Sequence, residues 1–458
     1  MTPEEIKTLT VDDIINLGEF ECSCGKKHAP GVAKAVIRKG AVEELPALLK
    51  EAGAKKPFIL SGHDTFAAAG ELVCGILEKA GYPYCKYVFP VSPVRPTEYT
   101  VGSAFLHFDY SCDFILAIGS GVINDTAKIL ARATGRKYII VATAPSMDGF
   151  VSATSSMDRD GLKTTINSTA AWAVVGDLDI LCNAPMHMLR AGVGDVLAKI
   201  TSLREWKLAE IIVGEDYCPV IAALVEKALD TVMSQAKGLL ARDPDAVRAV
   251  MEGLLIAGIG MNYASVSRPA SGMEHYFSHI WDMRSLAFED AAFEQHGIQA
   301  GIGTLYTLMA YEAIIRDGVV PDEAKALAFV KSFDLDAWNQ KLLTFVGPGA
   351  EAMIEGENRE HKYDIAKHAA RLKIIEDRWE EITDVIKTLP SAEEIRTLME
   401  SIGFPTSAAC IGYDDEMVKT TFTMTKDIRD KYVGTRLLWD LGILDEMADE
   451  VFTPEKKI

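Results

Sequence analysis

Residues 113–128 read D-F-I-L-A-I-G-S-G-V-I-N-D-T-A-K, and they decide the fold class. Asp113 to Ile118 is a short apolar run of buried-strand type, Gly119 and Gly121 follow at once, and Val122 to Ala133 has helical character. Glycines without β-carbons let the backbone approach an anion, and the first N–H groups of a helix point at it with the dipole behind them. Asp125 and Lys128 lie three apart, on roughly one helix face. The spacing is not the G-x-G-x-x-G of the common Rossmann fingerprint, so the bare alternative is a tight strand-to-helix turn. Some twenty residues on, A-T-A-P-S-M-D-G-F-V-S (Ala142 to Ser152) gathers Thr143, Ser146, Asp148 and Ser152 in a second loop. Two such loops suit a dinucleotide lying across consecutive strand ends. The first would meet the pyrophosphate, and the second the reacting end.

A third strand-and-loop unit lies upstream, where Lys56 to Leu60 runs into Ser61-Gly62-His63-Asp64. A carboxylate just past an early strand often holds a ribose hydroxyl and repels a 2′-phosphate, so Asp64 favours NAD over NADP. The competing reading is a helix N-cap.

At 458 residues the chain exceeds a comfortable single core, and two domains are expected. Up to about Asp179, short apolar runs (Phe58 to Leu60, Phe114 to Ile118, Tyr138 to Ala142, Ala173 to Val175) alternate with helical stretches, as in a parallel α/β sheet. Beyond Asn183-Ala184-Pro185 helical patterns dominate: Ala191 to Ile212, Val220 to Leu240, Ala246 to Ala264, Ala300 to Asp317 and Tyr363 to Leu389. The expected division is therefore an α/β, Rossmann-like dinucleotide-binding domain over 1–183 and an all-helical metal- and substrate-binding domain over 184–458. The charged tract Glu355 to Glu381 reads as a solvated helix face.

A net charge of −19 argues against nucleic acid, which needs a basic stripe. The acidic N-terminus lacks the basic and apolar regions of a secretion signal, and no apolar run approaches the ~20 residues of a membrane span. The expectation is a soluble cytoplasmic protein, as a homo-oligomer by default. Eight cysteines without framework spacing read as reduced thiols. Cys22, Cys24 and His28 cluster in C-S-C-G-K-K-H, but C-x-C is tighter than ordinary zinc spacing and no partner pair is close in sequence, so an exposed turn is the favoured reading.

The helical half holds a stronger set of metal candidates. Asp195 sits in A-G-V-G-D-V-L-A-K, early in an amphipathic helix, where an acidic residue is often only a dipole partner. S-R-P-A-S-G-M-E-H-Y-F-S-H (Ser267 to His279) puts His275 and His279 four apart, and His296 follows in E-Q-H-G. Two imidazoles and one carboxylate suit a divalent ion with positions left for substrate. Spacing alone makes His275 and His279 the natural pair and leaves His296 open.

Taken in order, G-S-G-x-I-N-D, T-A-P-S-M-D-G-F-x-S, A-G-x-G-D-x-L-A-K-I-T-S-L, S-R-P-A-S-G-x-E-H-x-x-S-H and H-G resemble the sn-glycerol-1-phosphate dehydrogenases. The likeness is to their bacterial AraM-like branch, within the iron-containing alcohol dehydrogenase and dehydroquinate synthase-like superfamily, and runs from about residue 30 to 310. The tract from roughly 340 to 400 is longer than that family suggests and has no assigned role. The resemblance implies a metal (zinc, nickel or iron), one per subunit, on Asp195, His275 and His296, with His279 moved to the substrate side. It implies a dinucleotide on Asp64, Gly119, Ser120, Gly121, Val122, Ile123 and Asp125, with Thr143, Ser146 and Ser152 nearer the nicotinamide. Asp148, Asp195 and His279 become the catalytic, substrate-touching residues. Lys163, Lys199 and Arg268 are the candidates for a substrate phosphate. The implied reaction is metal-dependent, NAD(P)H-linked reduction of dihydroxyacetone phosphate to sn-glycerol 1-phosphate, in a cleft between the two domains. The alternatives are a glycerol or alcohol dehydrogenase, a dehydroquinate synthase-like cyclase, and a non-catalytic metabolite-binding protein.

Overall fold

The computed structural model describes residues 1–159, 162–288 and 294–452. Ten strands occur among them: β1 (Phe20–Glu21), β2 (Lys27–His28), β3 (Lys34–Arg38), β4 (Pro57–Gly62), β5 (Cys85–Phe89), β6 (Phe114–Gly119), β7 (Tyr138–Ala142), β8 (Thr154–Arg159), β9 (Leu162–Asn167) and β10 (Ala173–Asp177). Six form one sheet in the order β3-β10-β7-β6-β4-β5, with every neighbouring pair parallel. The four inner strands are buried along their whole length, as a parallel sheet covered on both faces requires. These are the four apolar runs expected from sequence. The edge strands β3 (K-A-V-I-R) and β5 (C-K-Y-V-F) have mostly half-exposed residues, and their short apolar stretches adjoin charged residues.

Strand order also says where a ligand belongs. From β4 the chain proceeds to β5 on one side, and from β6 to β7 on the other. Loops leaving the carboxyl ends of β4 and β6 therefore diverge, and open α/β sheets bind ligands in the crevice at such a switch point. Those ends carry Gly62-His63-Asp64 and Gly119-Ser120-Gly121.

The helices that position the site are α1 (Gly121–Thr134), α2 (Met186–Leu197), α3 (Lys199–Val213), α4 (Pro219–Gln235), α5 (Pro244–Ala264), α6 (Met273–Ala287) and α7 (His296–Arg316). Helix α1 buries Ile123, Ala127, Leu130 and Ala131 and stops at Gly135, whose φ of +67° is the left-handed C-terminal cap that glycine takes without strain. The single helix expected over Ala191 to Ile212 runs as α2 and α3, separated at Ala198. That expected over Tyr363 to Leu389 runs as Ile365–Asp377 and Trp379–Ile386.

Two compact units result. One comprises Met1–Asp160, Thr164–Val196 and Cys218–Pro269; the other comprises Gly161–Lys163, Leu197–Tyr217 and Ala270–Ile458. The compositional change near residue 183 follows the last strand, which ends at Asp177. The units are cut elsewhere, because α5 packs on the sheet and α4 packs on α5: α5 lies against β3, and its Met251 reaches the Gly176 position on β10.

In the second unit, the tract expected to be a solvated face is amphipathic and partly charged inside. Glu357 and His368 are buried, with Leu372 and Ile375. His368 Nε2 lies 2.9 Å from the Asp440 carbonyl, and Arg371 grips the Asp440 carboxylate at 2.9 and 2.7 Å. Burial and the charge of Asp427 push the Glu357 carboxyl up to about 8. Charge patterning could not reveal this, because the buried partners Lys426, Asp427 and Asp440 come some seventy residues later. No helix among the described residues is long and apolar enough to cross a membrane.

One backbone approach ties the sheet to α2. A β-carbon on Gly192 would stand 1.9 Å from the Pro145 carbonyl oxygen, and one on Gly258 of α5 would stand 2.8 Å from the Asp148 carbonyl oxygen. Both helices thus present bare backbone to the 142–152 loop. Gly192→Ala is expected to lower stability by about 1–3 kcal/mol, the usual cost of overpacking. Denaturant unfolding of the two proteins side by side measures it, and an unchanged midpoint would contradict this packing.

Candidate active site

In the first unit, Gly119 ends β6 against the first turn of α1, where a β-carbon would lie 2.6 Å from Ile123 Cβ. Helix α1 receives no side-chain cap, and the N–H groups of Gly121, Val122 and Ile123 lie in its first turn. Ser120 is turned to the second loop instead. Its Oγ donates to the Ala144 carbonyl at 3.1 Å and lies 2.6 Å from Ser146 Oγ, while the Thr143 N–H donates to the Gly119 carbonyl at 3.0 Å. The two loops are one hydrogen-bonded body.

Asp64 lies at the end of β4 in an exposed turn that begins at Gly62, so it is not the N-cap. Hydrogen bonds from Ser92 and His63 hold its carboxyl below the ordinary value, and the group is anionic at neutral pH. Asp125 has a different setting. One oxygen accepts from the fully buried Lys128 at 2.9 Å and the other from the Ser156 N–H at 2.9 Å. Lys128 continues to Ser152 Oγ at 3.1 Å and the Thr154 carbonyl at 2.8 Å. The Asp125 carboxylate and the Ser152 hydroxyl thus brace the second loop through Lys128. Asp148 donates its N–H to Asp195 Oδ2 at 2.9 Å, and Asp195 is wholly buried on α2.

In the second unit, α6 and α7 bring His275 and His296 together, ring centroids 4.9 Å apart; His279 and His296 are 6.3 Å apart. His296, which spacing left open, thus neighbours both imidazoles of α6 and lies nearer to His275. Each of the two imidazoles is held at Nδ1, by Glu274 Oε1 at 2.8 Å for His275 and by Ser278 Oγ at 2.9 Å for His296. Ser278 donates onward to Gln299 Oε1 at 2.7 Å, leaving its oxygen to accept from His296. An imidazole whose Nδ1–H is committed to such an acceptor coordinates through Nε2, the arrangement that orients metal-binding histidines. The residues fit a divalent ion on this chemistry.

Behind His275 lies a buried acidic pair. Burial alone would raise the Glu274 carboxyl, but hydrogen bonds from His275, Thr201 and the Gly272 N–H outweigh it and hold it below the ordinary value. Glu205, on α3, is pushed up to about 7 by burial and by the Glu274 charge. It accepts from the Met273 N–H at 2.7 Å, the Gly434 N–H at 2.7 Å and Tyr311 OH at 2.9 Å. His279 Nδ1 has no hydrogen-bond partner among the described residues. Burial, reinforced by Arg429, His296, His275 and Lys163, keeps its pKa well below 6.5, so the ring is neutral at pH 7. Of the cationic candidates, Lys199 donates to the Ala270 carbonyl at 3.1 Å, Lys163 lies 3.3 Å from Asp282 Oδ2, and Arg268 is buried at the end of the first unit. Lys199 therefore serves to hold the loop that leads into α6.

Sequence reasoning missed Glu274, Ser278, Glu205 and Arg429. The first two had a usable signal, since each borders a candidate ligand inside S-G-M-E-H-Y-F-S-H. Glu205 and Arg429 had none, lying about seventy residues before and 150 after that motif.

A family model for iron-containing alcohol dehydrogenases matches residues 36–185. A glycerol-1-phosphate dehydrogenase [NAD(P)+] of Bacillus licheniformis is 29% identical, the match spanning 92% of this chain and 93% of that protein. One of the same name from Bacillus velezensis is 32% identical over 62% of this chain and 72% of that protein. Among solved structures, a probable glycerol dehydrogenase from Sinorhizobium meliloti superposes with a TM-score of 0.57 at 18% identity, covering 91% of this chain and 97% of that one, which shows a shared fold. By sequence likeness along most of its length, this chain belongs to the NAD(P)+-linked glycerol-1-phosphate dehydrogenase family.

Proposed function

We propose that this protein reduces dihydroxyacetone phosphate reversibly to sn-glycerol 1-phosphate with NAD(P)H, using one divalent metal ion held by Asp195, His275 and His296. The observation that carries the metal assignment is the Nδ1 anchoring of both imidazoles by Glu274 and Ser278, which aims two Nε2 atoms as ligands. When bound, the metal supplies Lewis acidity towards a ketone oxygen and the dinucleotide supplies hydride.

The chain's own residues do the rest. The N–H groups of Gly121, Val122 and Ile123 hold the pyrophosphate, and Gly119 keeps the approach open. Ser120 and Ser146 lock the two loops in register, so that Thr143 and Ser146 flank the nicotinamide. Asp125 and Ser152 contribute by fixing Lys128 beneath the second loop. Asp64 accepts from the adenosine ribose and disfavours a 2′-phosphate. His279, neutral and buried, orients the substrate and passes a proton to or from its hydroxyl, together with Asp148. Lys163, Arg268 and Arg429 supply the cationic field for the phosphate; Arg429 and Lys163 already act on His279 electrostatically.

His296→Ala is expected to lose bound metal and to reduce kcat/KM by roughly 10³-fold or more, the scale of losing electrostatic stabilisation of a developing oxyanion. His279→Ala should keep its metal while kcat/KM falls by roughly 10²-fold, as for a lost proton-transfer group. Metal content by mass spectrometry beside steady-state rates separates the two, and the opposite pattern would reverse the ligand assignment. NADH consumption should be stoichiometric with dihydroxyacetone phosphate and much weaker with dihydroxyacetone. A preference for the unphosphorylated ketone points to a glycerol dehydrogenase, and turnover without net NADH loss to a cyclase. Asp64→Ser should raise the NADPH-to-NADH ratio of kcat/KM about tenfold, or ~1.4 kcal/mol. An unmoved ratio removes Asp64 from the ribose site.

A further inference from the structure

The short hairpin β1–β2 pairs Phe20 with His28 and Glu21 with Lys27, and its turn holds Cys22 and Cys24. The sequence favoured an exposed turn here. The turn exists, but Cys22 and His28 are buried, at 9% and 2% exposure. What covers them comes from far along the chain. Cys218, the residue that begins α4, brings its sulfur to 3.6 Å from Cys22 Sγ and 3.6 Å from His28 Nε2. Cys24 Sγ lies 3.3 Å from the same imidazole nitrogen. One ligand atom from each of Cys22, Cys24, His28 and Cys218 falls within 4.8 Å of all the others.

We infer that Cys22, Cys24, His28 and Cys218 form a second, structural zinc site, remote in role from the imidazole pair. Tetrahedral zinc, with Zn–S about 2.3 Å and Zn–N about 2.0–2.1 Å, sets its ligand atoms about 3.8 Å apart for sulfur pairs and about 3.6 Å for sulfur and nitrogen. The observed separations match that size. The imidazole is also prepared for it. His28 Nδ1 lies 2.8 Å from the carbonyl of Tyr263, in the last turn of α5, so Nδ1 carries the proton and Nε2 presents its lone pair to the sulfurs. Phe20 packs edge-on against the ring at a centroid distance of 5.6 Å and Tyr263 lies tilted to it at 5.5 Å, sheltering it. Three thiolates and one neutral imidazole make a closed four-ligand set with no position for substrate, as structural zinc sites have. Loading releases three thiol protons and leaves the site with one net negative charge. A Cys22–Cys218 disulfide is the simpler alternative, but it would leave Cys24 and the oriented His28 without a purpose.

Its role follows from what it joins. The ion would clip the N-terminal hairpin to the start of α4 and, through Tyr263, to the end of α5. Ligands 196 positions apart in sequence close a long loop, which restricts the unfolded chain. The same α5 carries Gly258, against which the Asp148 carbonyl rests. The site therefore braces the helix beneath the catalytic loop without touching substrate.

The test uses the full chain purified under reducing conditions. Elemental analysis should find that Cys218→Ser loses one zinc equivalent per chain, while His275→Ala/His296→Ala retains one. Cobalt substitution of the unaltered protein should produce thiolate-to-cobalt charge-transfer absorption that persists in the His275→Ala/His296→Ala protein. Should Cys218→Ser fail to fold, His28→Cys, offering four thiolates, should keep its zinc and intensify that absorption. The inference is overturned if cobalt-loaded protein lacks the charge-transfer band. It is equally overturned if Cys218→Ser holds as much zinc as the parent, or if thiols trapped at lysis reveal a Cys22–Cys218 disulfide.

Discussion

The contact of the Pro145 carbonyl with the bare Cα of Gly192 is the constraint on which the first unit's chemistry rests. At a 1.9 Å clearance to a hypothetical β-carbon, only glycine lets the 142–152 loop settle on α2. That loop is bound to the β6–α1 turn through Ser120, Ser146 and Thr143, and to α2 through the Asp148 N–H and the Asp195 carboxylate. A side chain at residue 192 would therefore disturb the β6–α1 turn and the Asp195 carboxylate together. Gly192 in A-G-V-G-D is thus a packing requirement, three residues before the carboxylate of Asp195.

The second unit solves a different problem, that of keeping two imidazoles oriented, one buried (His275) and one half-buried (His296). Glu274 and Ser278 do so directly, and both lie on the same helix as His275. Glu274 is itself held by Thr201 and the Gly272 N–H, and the neighbouring Glu205 by Tyr311, Met273 and Gly434. Two carboxyl groups in such proximity cannot both ionise freely, and the protein resolves the conflict by giving Glu274 the stronger charge-favouring partners. The C-terminal tract contributes here. Gly434 approaches so closely that a β-carbon would sit 2.7 Å from Tyr311 OH, so residues after 400 help to set the electrostatics behind the imidazoles.

Legibility along the chain followed burial on both faces. The inner strands could be read because a fully buried strand must be apolar throughout, and the edge strands could not because half of each faces outward. The first loop was legible in its glycines, whereas the part played by Ser120 was not: a hydroxyl beside an anion site and a hydroxyl bonding to the next loop have the same sequence. Asp125 illustrates the same limit. Its three-residue spacing from Lys128 was visible, but the fact that the lysine is wholly buried and also grips Ser152 and Thr154 was not.

Residue order and periodicity were enough to establish a parallel α/β half, a helical remainder, glycine turns at the strand ends and a short inventory of imidazoles and carboxylates. Each of these is a local property, imposed by hydrogen bonding and hydrophobic pattern within a few residues. Which groups meet across long separations was left to packing. Spacing paired His275 with His279, yet His296 comes within 4.9 Å of His275 because α7 packs against α6. Spacing likewise set aside Cys22, Cys24 and His28, since C-x-C is tight and no partner pair is near in sequence, yet Cys218 joins them when the start of α4 meets the hairpin. Local sequence carries no record of such encounters, since they are set by where whole helices come to rest.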